Sequence, residues 1–455
     1  MEEVSYICKR TVVSTKVVEG GKYLSLSVLD RQMENNRIRM VYYFPTSPPE
    51  GEKIGEMTKK LRNSLAETLT FFPIITGRLI KDDDKGHWKV KCNDAGVRMV
   101  EAKAKGSVHR WLKHVNREKE LQLLYWEPMF RKPYFWSTFY VQITEFEEGG
   151  IAIGLSFSHL LADTTCATRF MHAWADILSM NKMSAPPLFH PLPPRKLGNK
   201  NPNHQPYLDL INHYRSSTLK PIISATKAKY TTISFGFSDE MVRTCMSMVQ
   251  APGGPTPSPF EALAGLFWVC LSMIRGMNKN NGLVDMSICL DVRKALGLDY
   301  GFFGNCMVYN KVNARDLENN NNNNRLAQAA SSIREVVSKM NGSEGIMDLI
   351  EWLEDNDDSL MNCPTMMNGH DLICADIGEV NPYLTRFDGE FEPIRVSYYV
   401  EPVLGEGQVL IMPASSKEGL LSRVVMVTLR EDEANKLCED DLISHLAPAT
   451  SMKID

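Results

Sequence analysis

Several absences narrow the reading before any motif is considered. The ten cysteines (Cys8, Cys92, Cys166, Cys245, Cys270, Cys289, Cys306, Cys363, Cys374 and Cys438) stand singly, with no C-x-x-C pair and no zinc spacing. They are expected to be small buried apolar residues in a reducing compartment, neither bridges nor metal ligands, and no metal site is expected. No stretch approaches the roughly 18 consecutive apolar residues of a membrane span, and the opening MEEVSYICKR lacks the apolar core of a secretory signal. The expectation is a cytoplasmic chain with no membrane span. Charge of one sign is missing too. With 51 Lys+Arg against 55 Asp+Glu the net charge is −4, which gives nucleic acid no broad footprint and an anionic membrane no polybasic handle.

Chemical signatures are sparse as well. There is no G-x-S-x-G elbow, no G-x-x-x-x-G-K-[ST] phosphate loop and no H-E-x-x-H helix, so serine-hydrolase, nucleotide-binding and zinc-protease readings lose their support.

What is present is an ordinary globular chain of 455 residues, 43% hydrophobic, long enough for two or three domains. Strand propensity is high in the β-branched run Thr11–Val18 and over Arg37–Phe44, which Pro45 ends. Met57, Leu61, Leu65 and Leu69 recur at helical steps, up to the break at Pro73 and Gly77. Short strands are expected at Trp88–Cys92, Val97–Glu101 and Phe139–Phe146. A turn at Glu147–Gly150 leads into the apolar strand Ile151–Phe157, and a helix is expected over Cys166–Leu178. The stretch from Ser184 to Pro206 is dense in proline and asparagine and reads as an extended crossover. The lobes are therefore set at 1–190 and 226–455, with a linker at 191–225. The second half begins with a strand at Tyr230–Phe235, a helix at Asp239–Val249 and an apolar helix at Pro259–Ile274, while Asn319–Asn324 reads as a solvated loop. Alternating strands and helices predict an α/β fold of mixed sheets covered by helices.

The best chemical candidate is Ser158-His159-Leu-Leu-Ala-Asp163, at the end of the buried strand Ile151–Phe157. A histidine presented there, with an ordinary pKa near 6.5, suits a general base at neutral pH. Asp163, four residues on, could orient the imidazole or point away to a distant arginine. On its own the motif reads equally well as a core histidine beside a helix-capping aspartate. The other nine histidines are isolated.

Taken in order along the chain, the pieces resemble the BAHD acyltransferases, a plant superfamily. The landmarks are Leu26-Ser-Val-Leu-Asp30, Leu61–Leu69 leading into Phe72-Pro-Ile-Ile-Thr-Gly-Arg-Leu79, Cys92-Asn-Asp-Ala-Gly-Val97, His159-Leu-Leu-Ala-Asp163, Ser258-Pro-Phe-Glu-Ala-Leu-Ala264 with Trp268 and Cys270, and Asp291-Val-Arg293 followed by Gly301-Phe-Phe-Gly-Asn305. The resemblance implies two chloramphenicol-acetyltransferase-like lobes with a central solvent channel, and a monomer. It implies acyl transfer from a coenzyme A thioester to an alcohol or amine acceptor, with acyl-CoA a co-substrate and no bound cofactor. His159 would be the general base. Asp163 would be structural, paired with Arg293, which leaves the imidazole neutral. The helix beginning at Ser258 and Phe260 would line the coenzyme A side.

Two departures carry equal weight. Where active members usually have D-F-G-W-G followed by a proline, this chain reads Phe387-Asp388-Gly389-Glu390-Phe391-Glu-Pro393, and no Trp or Thr lies between Thr365 and Thr385 to serve an oxyanion. Loss of one such donor costs about 10²–10³ in rate. A kept H-x-x-x-D beside a degenerate C-terminal motif resembles the eceriferum/glossy branch. That branch implies a non-catalytic accessory of very-long-chain fatty acid elongation for cuticular wax, acting through a ketoacyl-CoA synthase partner at the endoplasmic reticulum. The branch phrases are Lys91–Ala102, Tyr140–Phe146 with Gly149-Gly150, and Gly405–Ile411. Asp291-Val-Arg293 and Gly304-Asn305 keep the form of active transferases.

Overall fold

A computed structural model of the chain describes residues 3–16, 21–45, 55–81, 86–127, 137–195, 205–218, 229–250, 253–276, 283–312, 322–356, 371–387, 392–403 and 406–447. Among them the strands form two six-stranded sheets and one of three strands. The first sheet runs β1 (Val4–Val12), β6 (Val97–Ala104), β7 (Phe139–Phe146), β8 (Ile151–Ser158), β3 (Arg37–Phe44) and β13 (Arg395–Glu401). It is antiparallel except for β6 beside β7. The second runs β11 (Met307–Val312), β10 (Met286–Asp291), β12 (Leu372–Asp376), β14 (Gln408–Pro413), β15 (Arg423–Arg430) and β9 (Tyr230–Phe237), with β10, β12 and β14 mutually parallel. β2 (Lys22–Ser25), β5 (Trp88–Cys92) and β4 (Arg78–Lys81) make the small sheet. This is the mixed α/β architecture expected, with helices on the sheets.

Burial explains the central strands. Every residue of β8 is buried, as a continuous apolar run demands when both faces are covered. Gly154 is the one place in it where a side chain cannot fit, because a Cβ there would meet the Leu123 carbonyl at 2.0 Å. The helix Pro259–Ile274 is buried on nearly all sides, lying between its sheet and neighbouring helices, which is why it reads as apolar all round. Trp174, on the helix Thr164–Met180, is fully buried and donates to the Leu61 carbonyl and to Ser64 Oγ of the helix Glu56–Leu69, at 3.2 and 3.0 Å.

Four features differ from expectation. The first strand ends at Val12, because its pairing with β6 decides its extent and β-branching alone does not continue it through 13–16. The linker set at 191–225 holds the helix Gln205–Thr218, which begins at the end of the Ser184–Pro206 stretch read as extended and is fixed by the buried Leu210 and Tyr214 four residues apart on one face. And β13, from beyond that segment, joins the first sheet through β3, so strands of both sequence halves build one sheet. In the Asn319–Asn324 tract the helix Asn322–Met340 begins at Asn322; 319–321 lie outside the described residues.

Candidate active site

His159 follows the last residue of β8, and the loop it opens is tied down from two directions. Its N–H donates to the Asn36 carbonyl at 2.9 Å, and its carbonyl accepts from Asn305 Nδ2 at 2.7 Å. Asn305 is itself held by Asp30, whose Oδ1 accepts from both the Asn305 N–H and Nδ2 at 2.8 Å. The other oxygen of Asp30 accepts from Ser27 N–H and Oγ at 2.7 Å, in a capping box that starts the short helix Val28–Arg31. Burial raises the Asp30 pKa against the pull of these donors.

Asp163 turns away from the imidazole. Its side chain caps the helix Thr164–Met180 by accepting from Cys166 N–H at 3.0 Å and also accepts from Cys306 N–H at 2.9 Å. Arg293 meets it with both terminal nitrogens, at 2.9 and 3.1 Å, a two-pronged fork that only a guanidinium makes. The same arginine pairs with Asp291 at 2.6 Å, reaches Cys166 Sγ at 3.1 Å and donates to the Gly304 carbonyl. Asp291 is steadied in turn by Thr165 Oγ1, donating at 2.7 Å. All three charged side chains are shut off from solvent. Burial alone would raise the Asp163 pKa, but the Arg293 charge and the donated hydrogen bonds outweigh it and hold the carboxyl below its ordinary value. Asp291, buried and repelled by Asp163, moves up despite Arg293.

The imidazole is left nearly alone. His159 is 2% exposed, and burial lowers its pKa below 6.5, with the Asp163 charge recovering only part of the loss. Nδ1 is buried with no hydrogen bond, as are the hydroxyls of Ser158 and Thr164 and Oδ1 of Asn305. Unspent buried polar atoms on four residues of one loop system are unusual, since such atoms are nearly always paired.

The remaining candidates sit elsewhere. Ser258 caps the helix Pro259–Ile274; its Oγ accepts from Glu261 N–H at 3.2 Å while Glu261 accepts from Ser258 N–H at 2.9 Å. Phe260 is buried two residues further on. Ser258 is tied to Glu261 of its own helix, so the structure groups His159, Asp163 and Arg293 and leaves Ser258 and Phe260 on a separate helix start. Phe387 is buried edge-on against Phe44 and Trp174, with ring centroids 5.4 and 5.0 Å away. Asp388, Gly389, Glu390 and Phe391 lie outside the described residues. A cavity of about 160 Å³ and another of about 330 Å³ are lined by described residues that do not include His159.

A family model described as the Transferase family matches residues 3–441. The chain belongs to this family, the BAHD acyltransferases. It is 24% identical to Protein ECERIFERUM 26-like of Arabidopsis thaliana over 94% of this chain and 92% of that protein. It is 25% identical to Hydroxycinnamoyltransferase 1 of Oryza sativa subsp. japonica over 87% and 90%. Among solved structures it is similar to vinorine synthase, with a TM-score of 0.71 at 17% identity over 99% of both chains. It is also similar to TRI101 of F. sporotrichioides complexed with coenzyme A and T-2, with a TM-score of 0.73 at 16% identity over 95% of this chain and 100% of that one. These BAHD and related folds account for the two sheet-and-helix lobes. Asp30 and Asn305 stand in the sequence landmarks without a stated role, and only the fold shows that Asn305 links Asp30 to the His159 carbonyl. Cys166 was read as filler, and its sulfur also accepts from Gly304 N–H at 3.3 Å.

Proposed function

We propose that this chain transfers an acyl group from a coenzyme A thioester to an alcohol or amine, with His159 as the general base. The observation that carries this reading is the diversion of Asp163 into Arg293, which leaves a buried, uncharged imidazole with no salt bridge of its own. On this reading the neutral ring keeps one of its two nitrogens as an acceptor with a free lone pair. That lone pair takes the proton of the acceptor O–H or N–H as the acceptor attacks the thioester carbonyl. When the C–S bond breaks, the imidazolium returns the proton to the departing thiolate, so coenzyme A leaves as the thiol and His159 is neutral again. Ser158 and Thr164, whose buried hydroxyls have no partner, are the donors nearest in sequence to serve the oxyanion in place of the absent Trp and Thr.

The test follows free thiol while purified protein is offered a panel of acyl-CoA donors and of alcohol and amine acceptors. Wild type releases thiol with at least one pair, and His159→Ala loses about 10²-fold or more of that rate. Equal release by both proteins across the panel would overturn the reading.

A second reading is favoured by the ECERIFERUM relatives, three of them at 24% identity over 92–96% of their own lengths, and by the closed setting of His159. On it the chain is a non-catalytic accessory that sets the chain length made by a ketoacyl-CoA synthase partner. Co-expression with such a synthase decides it, and an unchanged product profile sinks it.

A further inference from the structure

The helix that Asp163 caps carries a second set of polar side chains, away from the transfer site. Arg169, His172 and Asp176 lie along one of its faces and point into the cavity of about 160 Å³, which the segment Ser184–Pro187 roofs as a strap. Apolar walls come from Phe72 and Phe303, whose rings meet edge to face at 5.4 Å. Tyr300 stands at the rim, 60% exposed, with the Arg169 guanidinium 4.3 Å from its ring. Neither His159 nor Asp163 belongs to this wall.

The hydrogen-bonding capacity of the cavity is only partly used. Arg169 makes one long donation, from Nη1 to the Phe302 carbonyl at 3.4 Å, and its Nε is buried with no partner. His172 Nε2 lies 3.0 Å from the Asn381 carbonyl and must carry the proton there, so its Nδ1 is an acceptor. Asp176 accepts from Ser184 N–H at 2.9 Å through one oxygen, leaving the other. The space therefore offers a guanidinium fork, aromatic faces and edges, and acceptors, in a volume close to the about 150 Å³ that holds one benzene ring.

We propose that this cavity is a second ligand site, for a small monocyclic aromatic acid bearing a ring hydroxyl. The carboxylate pairs with Arg169, the ring packs on Phe72 and Phe303, and the hydroxyl donates to His172 Nδ1 or Asp176. Leu188 N–H donates to the Gly301 carbonyl at 2.8 Å and its own carbonyl accepts from Phe303 N–H at 3.0 Å, one residue before Gly304 and two before Asn305.

Calorimetric titration of the full chain with 4-hydroxybenzoate and with 4-hydroxybenzamide tests this, and it needs no acyl donor. Wild type is expected to bind the acid at one saturable site, and the uncharged amide roughly tenfold or more weakly, as loss of a charged hydrogen bond implies. Arg169→Gln abolishes that preference, and Ala185→Phe, on the partly exposed strap, blocks both probes by filling the cavity. His159→Ala binds like wild type, which separates this site from the transfer reaction. No saturable binding, equal affinity for acid and amide, binding indifferent to Ala185→Phe, or binding lost in His159→Ala would each overturn the proposal.

Discussion

Replacing Arg293 by methionine is the substitution whose cost the structure bounds best. The guanidinium is 4% exposed, and the carboxylates it pairs, Asp163 and Asp291, are 0% and 6% exposed, so solvent screening cannot soften the loss. Removing one partner of a buried pair costs about 3–5 kcal/mol, because the other charge stays buried and unpaired. Here one arginine serves two carboxylates and the Gly304 carbonyl, so the expectation lies at the upper end, about 5 kcal/mol. Arg293→Lys keeps the charge but not the fork and is expected to lose about half of that. Guanidinium unfolding followed by tryptophan fluorescence measures both. The loss also has a pH signature. In wild type the depressed Asp163 pKa contributes stability that is present above the unfolded carboxyl value near 3.8 and is lost as pH falls through the folded one. Without Arg293, burial raises the same pKa above its unfolded value, so the deficit of Arg293→Met shrinks as pH is lowered toward 4. A deficit under about 1 kcal/mol, or one that is flat between pH 8 and pH 5, would refute the reasoning.

Two further substitutions follow from the same geometry. Asn305→Ala removes the donor to the His159 carbonyl and one of the two donors to Oδ1 of the buried Asp30, and should cost about 2–3 kcal/mol in unfolding experiments. In the thiol-release assay it should lower kcat about tenfold or more with little change in KM, since it displaces the base and leaves the binding surfaces alone. Gly154→Ala forces a Cβ to 2.0 Å from the Leu123 carbonyl in the middle of the first sheet, a backbone contact that no rotamer relieves. It should destabilise by about 3 kcal/mol or more, seen as a lower unfolding midpoint and reduced soluble yield.

Local elements were legible where the chain's own pattern decides them. Arg37–Phe44, Asp239–Val249 and Pro259–Ile274 coincide with the observed strand and helices, because β-branched density, a Ser cap and a first-turn proline act within a few residues. Elements decided by partners far along the chain were not. Arg395–Glu401 pairs with Arg37–Phe44 across more than 350 residues, and nothing in either segment names the other. The site shows the same division. The Asp163–Arg293 pairing came through the resemblance rather than through spacing, and Asp30 under Asn305 came only with the fold. The rewritten segment at Phe387–Phe391 was plain in the sequence, yet of its residues only Phe387 is described, packed on Trp174.

Everything proposed for transfer depends on the charge of one ring, and that charge can be measured without knowing any substrate. With ring-labelled histidine, the His159 resonance is assigned by its loss in a His159→Gln variant among the ten histidines and followed from pH 8 to pH 4.5. Burial lowers this pKa, so the midpoint of the titration is expected below pH 6.5. Unfolded histidine takes up its proton near 6.5, so the folded state should also lose stability from pH 6.5 downward, toward the folded pKa. A His159 ring half-protonated at or above pH 6.5 would contradict the account, because it would show that Asp163 serves the imidazole rather than Arg293.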